Sequence, residues 1–241
     1  MSLLDRNSNL SQRMTQALGR QIVCGVYDRS ESLPTEAELC EQFGVSRSAV
    51  REAVKMLSAK GLITSKPRQG IRIQPEEQWN IFDTDLLSWS LESNPSMKVL
   101  KEFLQMRIAI EPEAASLAAR FATPEKIDAI EAALERMRAA GDNMEAELEA
   151  DIAFHVSILY ASNNRFYIRL RDFIQTALRV SIRHTSSIKA NHEGVVEDHA
   201  KVLSAIKNRN PEQAKNAMLL LIDEALNFIE EELLRREQQG L

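Results

Sequence analysis

Apolar residues recur at helical spacing over most of the second half of the chain, from Met97 onward. Clusters of Gly, Pro, Asn, Asp and Ser interrupt this pattern at intervals that suit short loops between helices. The interruptions fall near residues 122–124, 140–142, 162–164, 190–191 and 208–211. The pattern therefore predicts about six helices that pack as an antiparallel bundle.

A different pattern occurs in the segment GLITSKPRQGIRIQ, which spans residues 61–74. Here Ile63, Ile71 and Ile73 alternate with polar residues on either side of the basic, glycine-containing tip KPRQG. Such alternation is typical of half-buried strands joined by a turn. The segment predicts a small β-hairpin with a positively charged tip.

Two short helices are predicted directly before this hairpin. Thr35, with Glu38 three residues later, forms a capping box, so a helix should follow and run to about Phe43. Gly44 can adopt the positive φ that ends a helix, and Ser46 can cap the next one. Two helices joined by a tight turn form a helix-turn-helix, which the hairpin extends to a winged helix-turn-helix.

The second of these helices has two chemically distinct faces. Its inward stripe is apolar and comprises Val50, Ala53, Val54 and Leu57. Its outward face carries Arg47, Arg51 and Lys55, whose like charges repel one another unless a polyanion neutralises them. An ordinary solvated basic surface is the alternative for this helix alone. The capped helix pair followed by a basic wing favours DNA binding.

Charge divides the chain into two parts. Residues 1–75 carry 11 Lys and Arg against 7 Asp and Glu, whereas the whole chain has a net charge of −5. We assign a winged helix-turn-helix DNA-binding domain to residues 1–76, a linker with a bridging helix to residues 77–95, and an all-helical domain to residues 96–241. The predicted fold class is mainly α.

Cysteine content and hydropathy argue against a disulfide-stabilised protein and against a membrane-spanning protein. The two cysteines are too few for a disulfide framework, which indicates a reducing compartment. No segment approaches the roughly 20 apolar residues that span a bilayer. We therefore expect a soluble protein of the cytoplasm without a membrane partner.

Polar residues interrupt the apolar stripes of the predicted bundle. Asp151 and His155 lie four residues apart on the inward stripe of one helix, and His199 lies on that of another. Arg107 and Glu111 share the inward face of a third helix. Because burying unpartnered charges is costly, these five residues predict a polar cavity inside the bundle.

Asp151, His155 and His199 could together bind a divalent metal ion. A carboxylate with imidazoles suits Zn, Ni or Mn better than Ca or Mg. The alternative for the first pair is a buried hydrogen bond in which the aspartate fixes the imidazole tautomer, but His199 on a facing stripe favours the metal. Arg107 likewise has two interpretations: a bidentate contact with a carboxylate ligand, or a structural ion pair with Glu111.

The segment LPTEAELCEQFGVSRSAVREAVKMLSAKGLI, followed by RQG, resembles the winged-helix domain of the GntR family of bacterial transcription regulators. This resemblance implies that Arg47 and Arg51 contact DNA, helped by Ser46, Ser48, Gln69 and Gly70. Lys55 and Arg68 belong to the same basic surface. One departure is Ala37, a position at which relatives often carry a basic residue.

The helical part, with its D-x-x-x-H motif, resembles the FCD ligand-binding domain of FadR-like regulators in that family. Many such domains bind a metal with one Asp and three His above a small carboxylate ligand. Asp151, His155 and His199 match the first three ligand positions, while the fourth falls at Leu221, so a bound Zn or Ni would have an incomplete ligand set. Arg107 matches the family's cavity arginine; Glu111 and Arg183 are the other effector-binding candidates.

Between the domains, EEQWNIFDTDLLSWSLE resembles repressors of galactonate and related sugar-acid operons. This resemblance implies a homodimer that binds a double-stranded DNA operator and responds to a small carboxylate such as an aldonate or hexuronate. Two other interpretations stay open: a metal-dependent enzyme acting on a small acid, and a bundle that serves dimerisation alone. The enzyme lacks a convincing general base, nucleophile or phosphate loop beside the three candidate ligands.

Overall fold

The computed structural model describes residues 10–28, 30–92, 97–141, 143–185 and 192–239. It divides the chain into two compact units, residues 1–94 and 95–241. The described residues are predominantly helical, and two short strands form their only sheet, which confirms the predicted mainly α fold class. Within these ranges, no helix combines the length and the apolar character that crossing a membrane requires.

The first unit is a winged helix-turn-helix with an additional helix at each end. Its elements are α1 (Leu10–Val23), α2 (Glu36–Phe43), α3 (Arg47–Ala59), β1 (Ile63–Lys66), β2 (Gly70–Ile73), a 3-10 turn (Glu76–Gln78) and α4 (Thr84–Glu92). The predicted capping signals are confirmed: Thr35 and Glu38 form a complete capping box, and Gly44 ends α2 with a φ of 62°. Ser46 caps α3 by accepting a hydrogen bond from the Ala49 N–H.

The predicted hairpin is confirmed as an antiparallel pair in which Ile63 lies opposite Ile73 and Lys66 lies opposite Gly70. Its tip is closed by a hydrogen bond of 3.1 Å from the Gln69 N–H to the Lys66 carbonyl. Arg68, at the third position of this turn, has a φ of 65°. A positive φ there is usual for Gly or Asn, so the wing presents its arginine from a strained backbone position.

The core of the first unit extends beyond the helix pair and hairpin. Helix α1, which the sequence analysis did not identify, buries Met14, Leu18 and Ile22. The indole of Trp89 on α4 packs so closely on Gly19 that a Cβ there would lie 2.3 Å from the ring. Residues 77–95, assigned from the sequence as a linker with a bridging helix, do contain a helix, and its Leu86 and Trp89 belong to the core of the first unit.

The second unit is helical throughout the residues described for it. Its helices are α5 (Met97–Phe121), α6 (Pro124–Ala140), α7 (Met144–Ala161), α8 (Arg165–Arg169), α9 (Arg171–Thr185), α10 (His192–Lys207) and α11 (Pro211–Gln239). This is one helix more than predicted, because a short break at Leu170 separates α8 from α9. Helix α5 packs along α11, and α7 packs against α5, α6 and α9.

Candidate functional site

The outward face of α3 presents the basic residues that the sequence predicts. Arg47, Arg51 and Lys55 are all exposed. Two of them form ion pairs: Arg51 Nε donates to Glu36 Oε2 at 3.0 Å, and Lys55 Nζ donates to Glu52 Oε2 at 3.3 Å. The face therefore combines a basic surface with acidic neighbours that hold two of its side chains.

The remaining predicted DNA contacts lie at the start of α3 and on the wing. The Ser46 hydroxyl caps α3 and lies 2.9 Å from the Ser48 hydroxyl. Ser46 therefore has a structural role that is independent of the predicted DNA contact. Arg68, Gln69 and Gly70 form the exposed tip of the hairpin. Gly70 has a φ of 74°, which explains a glycine at this end of the turn.

The second unit brings together the five polar residues that the sequence places on inward stripes. Asp151 and His155 lie on α7, His199 on α10, and Arg107 and Glu111 on α5. All five side chains are largely buried, Asp151 being the most exposed at 15%. Asp151 Oδ1 lies 3.1 Å from both His155 Nε2 and His199 Nε2.

The opposite nitrogen of each imidazole contacts a protein acceptor. His199 Nδ1 lies 2.7 Å from the Val195 carbonyl oxygen, which can only accept, so this nitrogen donates its proton there. His155 Nδ1 lies 2.6 Å from Glu111 Oε2. These contacts place a proton on Nδ1 of each ring and direct both Nε2 atoms towards Asp151, where each can donate to the carboxylate when protonated or bind a metal when bare.

This arrangement fits a divalent metal. Two bare Nε2 lone pairs facing one carboxylate oxygen repel it, and the repulsion is relieved by protons on both rings or by a cation among the three groups. One ligand atom from each of Asp151, His155 and His199 lies within 4.8 Å of the others. Ligand atoms on a tetrahedral zinc are about 3.4 Å apart, so small side-chain shifts would suffice.

Electrostatics in the cluster favour ionised carboxylates. Burial raises the pKa of Asp151, but hydrogen bonds with His155 and His199 outweigh burial and hold the pKa well below its usual range. Burial also acts against ionisation of Glu111, yet the charges of Arg107 and His155 lower its pKa to about 2. Burial and the charge of Arg107 lower the pKa of His155, but the charge of Glu111 and the hydrogen bonds with Asp151 and Glu111 together outweigh them, so the pKa is raised.

Arg107 and Glu111 form the ion pair that the sequence analysis considered as an alternative to effector binding. Arg107 Nε donates to Glu111 Oε1 at 2.6 Å, and Arg107 Nη2 donates to Oε2 at 3.2 Å. Arg107 Nη2 is also 3.3 Å and 3.2 Å from the two ring nitrogens of His155. These near-equal distances place the guanidinium against the face of the imidazole rather than in line with either nitrogen.

Leu221 and Arg183 were also named from the sequence. Leu221, at the expected fourth ligand position, is buried on α11 with 7% of its surface exposed. The side chain of Arg183 lies outside the described residues, although its backbone belongs to α9. The residue missed by sequence reasoning is Glu36, whose contact with Arg51 joins α2 to α3.

The first unit is a winged helix-turn-helix whose second helix is basic and exposed, and the second unit is helical with a buried Asp–His–His cluster. This combination is typical of DNA-binding transcription regulators with a separate sensing domain. Residues 10–73 match the model of bacterial regulatory proteins of the gntR family, and residues 102–224 match that of the FCD domain. The chain belongs to the GntR family and carries an FCD domain.

Two curated relatives agree with this assignment. The chain is 34% identical to the galactonate operon transcriptional repressor of Escherichia coli K12, over 92% of this chain and 98% of the relative. It is 37% identical to the E. coli HTH-type transcriptional regulator YieP, over 91% and 95% of the two chains. These relatives are transcription regulators, which argues against the enzyme alternative.

The fold is also similar to that of Lar, which controls expression of the Listeria monocytogenes agr system. The TM-score is 0.58 with 18% identity, covering 93% of this chain and 98% of that chain. This likeness supports the fold alone.

Proposed function

We propose that the protein is a homodimeric repressor of a sugar-acid utilisation operon, released from its operator by a small carboxylate bound in the second unit. The similarity to the galactonate operon repressor, which extends over nearly the full length of both chains, supports the effector class. The two-fold dimer would place two winged helices on the half-sites of a pseudo-palindrome. Arg47, Arg51 and the wing tip would supply the DNA contacts.

The buried cluster of Asp151, His155 and His199 is the observation that carries the proposal for the sensing unit. We infer that it holds one divalent metal ion, zinc or nickel. When bound, the metal would supply a Lewis-acidic centre that a carboxylate effector can coordinate. Glu111 and the Val195 carbonyl orient the two imidazoles through their Nδ1 atoms.

Leu221 gives this site only three protein ligands, which leaves room for an effector. A structural zinc site is closed by four protein ligands, whereas an open site keeps a position for water or a ligand. An apolar residue at the fourth position therefore suits a sensor whose ligand completes the coordination. Arg107 lies against His155 and would face the same ligand with the part of its guanidinium that Glu111 does not occupy.

The metal hypothesis is tested by elemental analysis of the purified protein. His199→Ala should lower the bound zinc or nickel to well under half of the wild-type content, because one of three ligands is lost. The matched control is Asp198→Asn, which removes the neighbouring carboxylate that pairs with Lys201 on the outer side of α10. Equal metal content in His199→Ala and wild type would remove His199 from the site.

A complementary variant tests the incomplete ligand set. Leu221→His should tighten zinc binding at least about tenfold, the lower end of what even outer-shell partners contribute. Leu219→His is the control, because Leu219 is an exposed position on the same helix. Equal zinc affinity in these two variants would show that position 221 does not face the metal.

A further inference from the structure

The two glutamates at the start of α2 have different partners. Glu38 completes the capping box: its Oε2 accepts from the Thr35 backbone N–H at 2.7 Å and from the Thr35 hydroxyl at 2.8 Å. Glu36 has no part in this cap. Its Oε2 instead accepts from Arg51 Nε at 3.0 Å, across the gap between α2 and α3.

Both sides of this contact rest on fixed backbone. Before α2, the Leu33 N–H donates to the Ile71 carbonyl of the wing at 2.8 Å, and within α2 Leu39 is fully buried. On α3, Arg51 lies next to Val50, whose side chain is likewise fully buried. The core therefore fixes the backbone positions that carry Glu36 and Arg51, while the two side chains are 38% and 66% exposed.

The contact determines which edge of the guanidinium is available. With Nε engaged by Glu36, the two terminal nitrogens of Arg51 form the remaining edge. Two parallel N–H donors on one edge match O6 and N7 of guanine in the major groove. An arginine without such an anchor samples more rotamers, some of which reach the phosphate oxygens of the DNA backbone. The anchoring carboxylate also repels the phosphate backbone.

We propose that Glu36 is a specificity-determining positioning residue, which orients Arg51 towards a base edge and weakens its binding to the DNA backbone. The proposal rests on the proposed role of α3 in DNA recognition. A surface ion pair of this kind contributes little to folding stability. We therefore expect the pair to change the ratio of specific to non-specific DNA affinity.

The test compares two probes: a duplex that the wild-type protein enriches from a randomised library, and a scrambled duplex of the same composition. Glu36→Ala should lower affinity for the selected duplex and raise it for the scrambled one. The ratio of the two affinities should fall about three- to tenfold per half-site, because Arg51 would then have to be immobilised on binding. Glu36→Gln, which keeps an acceptor for Arg51 Nε without the charge, should retain more of the ratio.

Glu52→Ala is the matched control, because Glu52 pairs with Lys55 on the same face. It removes the same charge near DNA, so both affinities should rise together while their ratio stays constant. If Glu36→Ala also changes both affinities by one common factor, Glu36 acts only through its charge and the proposal is overturned.

Arg51→Ala separates this proposal from the one on which it rests. Loss of the specificity ratio in Arg51→Ala, with no further change on adding Glu36→Ala, is the expected result, because Glu36 would act only through Arg51. Additive losses in the double variant would overturn the positioning role while leaving α3 as the recognition helix. An Arg51→Ala variant with unchanged affinity and salt dependence would overturn both proposals.

Discussion

Glu111 is the residue on which the buried network of the second unit depends most. Its carboxylate accepts from Arg107 Nε at 2.6 Å and lies 2.6 Å from His155 Nδ1, with almost no exposure to solvent. A buried ion pair adds little net stability when complete, because desolvation offsets the attraction between the charges. Removing one partner is different, since the remaining charge stays buried without compensation.

We predict that Glu111→Gln lowers the free energy of unfolding by about 3–5 kcal/mol, because the guanidinium of Arg107 loses its counter-charge in the core. Glu113→Gln, two residues away on α5, is the control: Glu113 forms an exposed ion pair with Lys215 and should have little effect. Urea unfolding monitored by far-UV circular dichroism measures both. Equal stability of the two variants would contradict the assigned role of Glu111.

At this scale, helical spacing predicts which residues face inward but not which atoms meet. The inward stripes correctly place Asp151, His155 and His199 in the interior, because a 3.6-residue period fixes the face of each helix. Spacing contains no information on rotation between helices that are distant in sequence. The pairing of Glu111 with His155, and that of Glu36 with Arg51, therefore required the three-dimensional structure.

Among the elements, α4 shows most clearly what sequence periodicity leaves out. Its Trp89 donates to Gln16 Oε1 at 2.8 Å, a contact between residues 73 positions apart. Lys60, which caps the end of α3, contacts Asp83 at 2.8 Å and Asp85 at 2.7 Å, and these contacts link the start of α4 to α3. Caps and the hairpin were predictable because their signals are local, whereas this docking depends on long-range packing.

The ion pair between Lys60 and Asp85 makes the stability of the first unit depend on pH. Partial burial raises the pKa of Asp85, but hydrogen bonds from Lys60 and Gln16 outweigh burial and place the pKa below its ordinary value of 3.8. A carboxyl group with a lowered pKa in the folded state stabilises the fold above the unfolded pKa. This contribution is lost as the pH falls below 3.8 through the folded-state pKa.

We therefore predict that Asp85→Asn lowers stability at neutral pH and loses less stability than wild type on acidification below pH 3.8. Denaturant unfolding followed by tryptophan fluorescence measures this in the intact chain, because both tryptophans, Trp79 and Trp89, lie in the first unit. Glu41→Gln is the control for charge alone, at an exposed position on α2. Parallel acid profiles for wild type and Asp85→Asn would contradict the assignment.

At the scale of the whole molecule, the chain combines two compact units of different fold. The first has the family's DNA-binding fold, and the second has the FCD fold with a buried cluster suited to a metal. An effector can shift the DNA-binding equilibrium only by its differential affinity for the two states. In the proposed mechanism this coupling is reciprocal, so DNA would weaken effector binding by the same factor as the effector weakens DNA binding.

The family could be predicted from sequence because its winged-helix motif is long and locally encoded. The identity of the proposed effector could not be predicted, because its selection would depend on side chains that converge from several helices. Asp151, His155 and Arg107 come from two helices that are separated in sequence by the whole of α6. Leu221 illustrates the same limit of sequence analysis. The family motif shows that the fourth metal ligand is missing there, but it does not identify the group that would take the ligand's place.

The central claim is tested most directly by measuring affinity for the selected DNA duplex with metal-loaded protein, in the presence of galactonate and a panel of other aldonates and hexuronates. We predict that at least one of these acids weakens DNA binding by roughly 5- to 150-fold, the range of typical allosteric coupling. His199→Ala should lose this response while still binding DNA. DNA affinity that no sugar acid changes, or a response that persists undiminished in His199→Ala, would contradict the account.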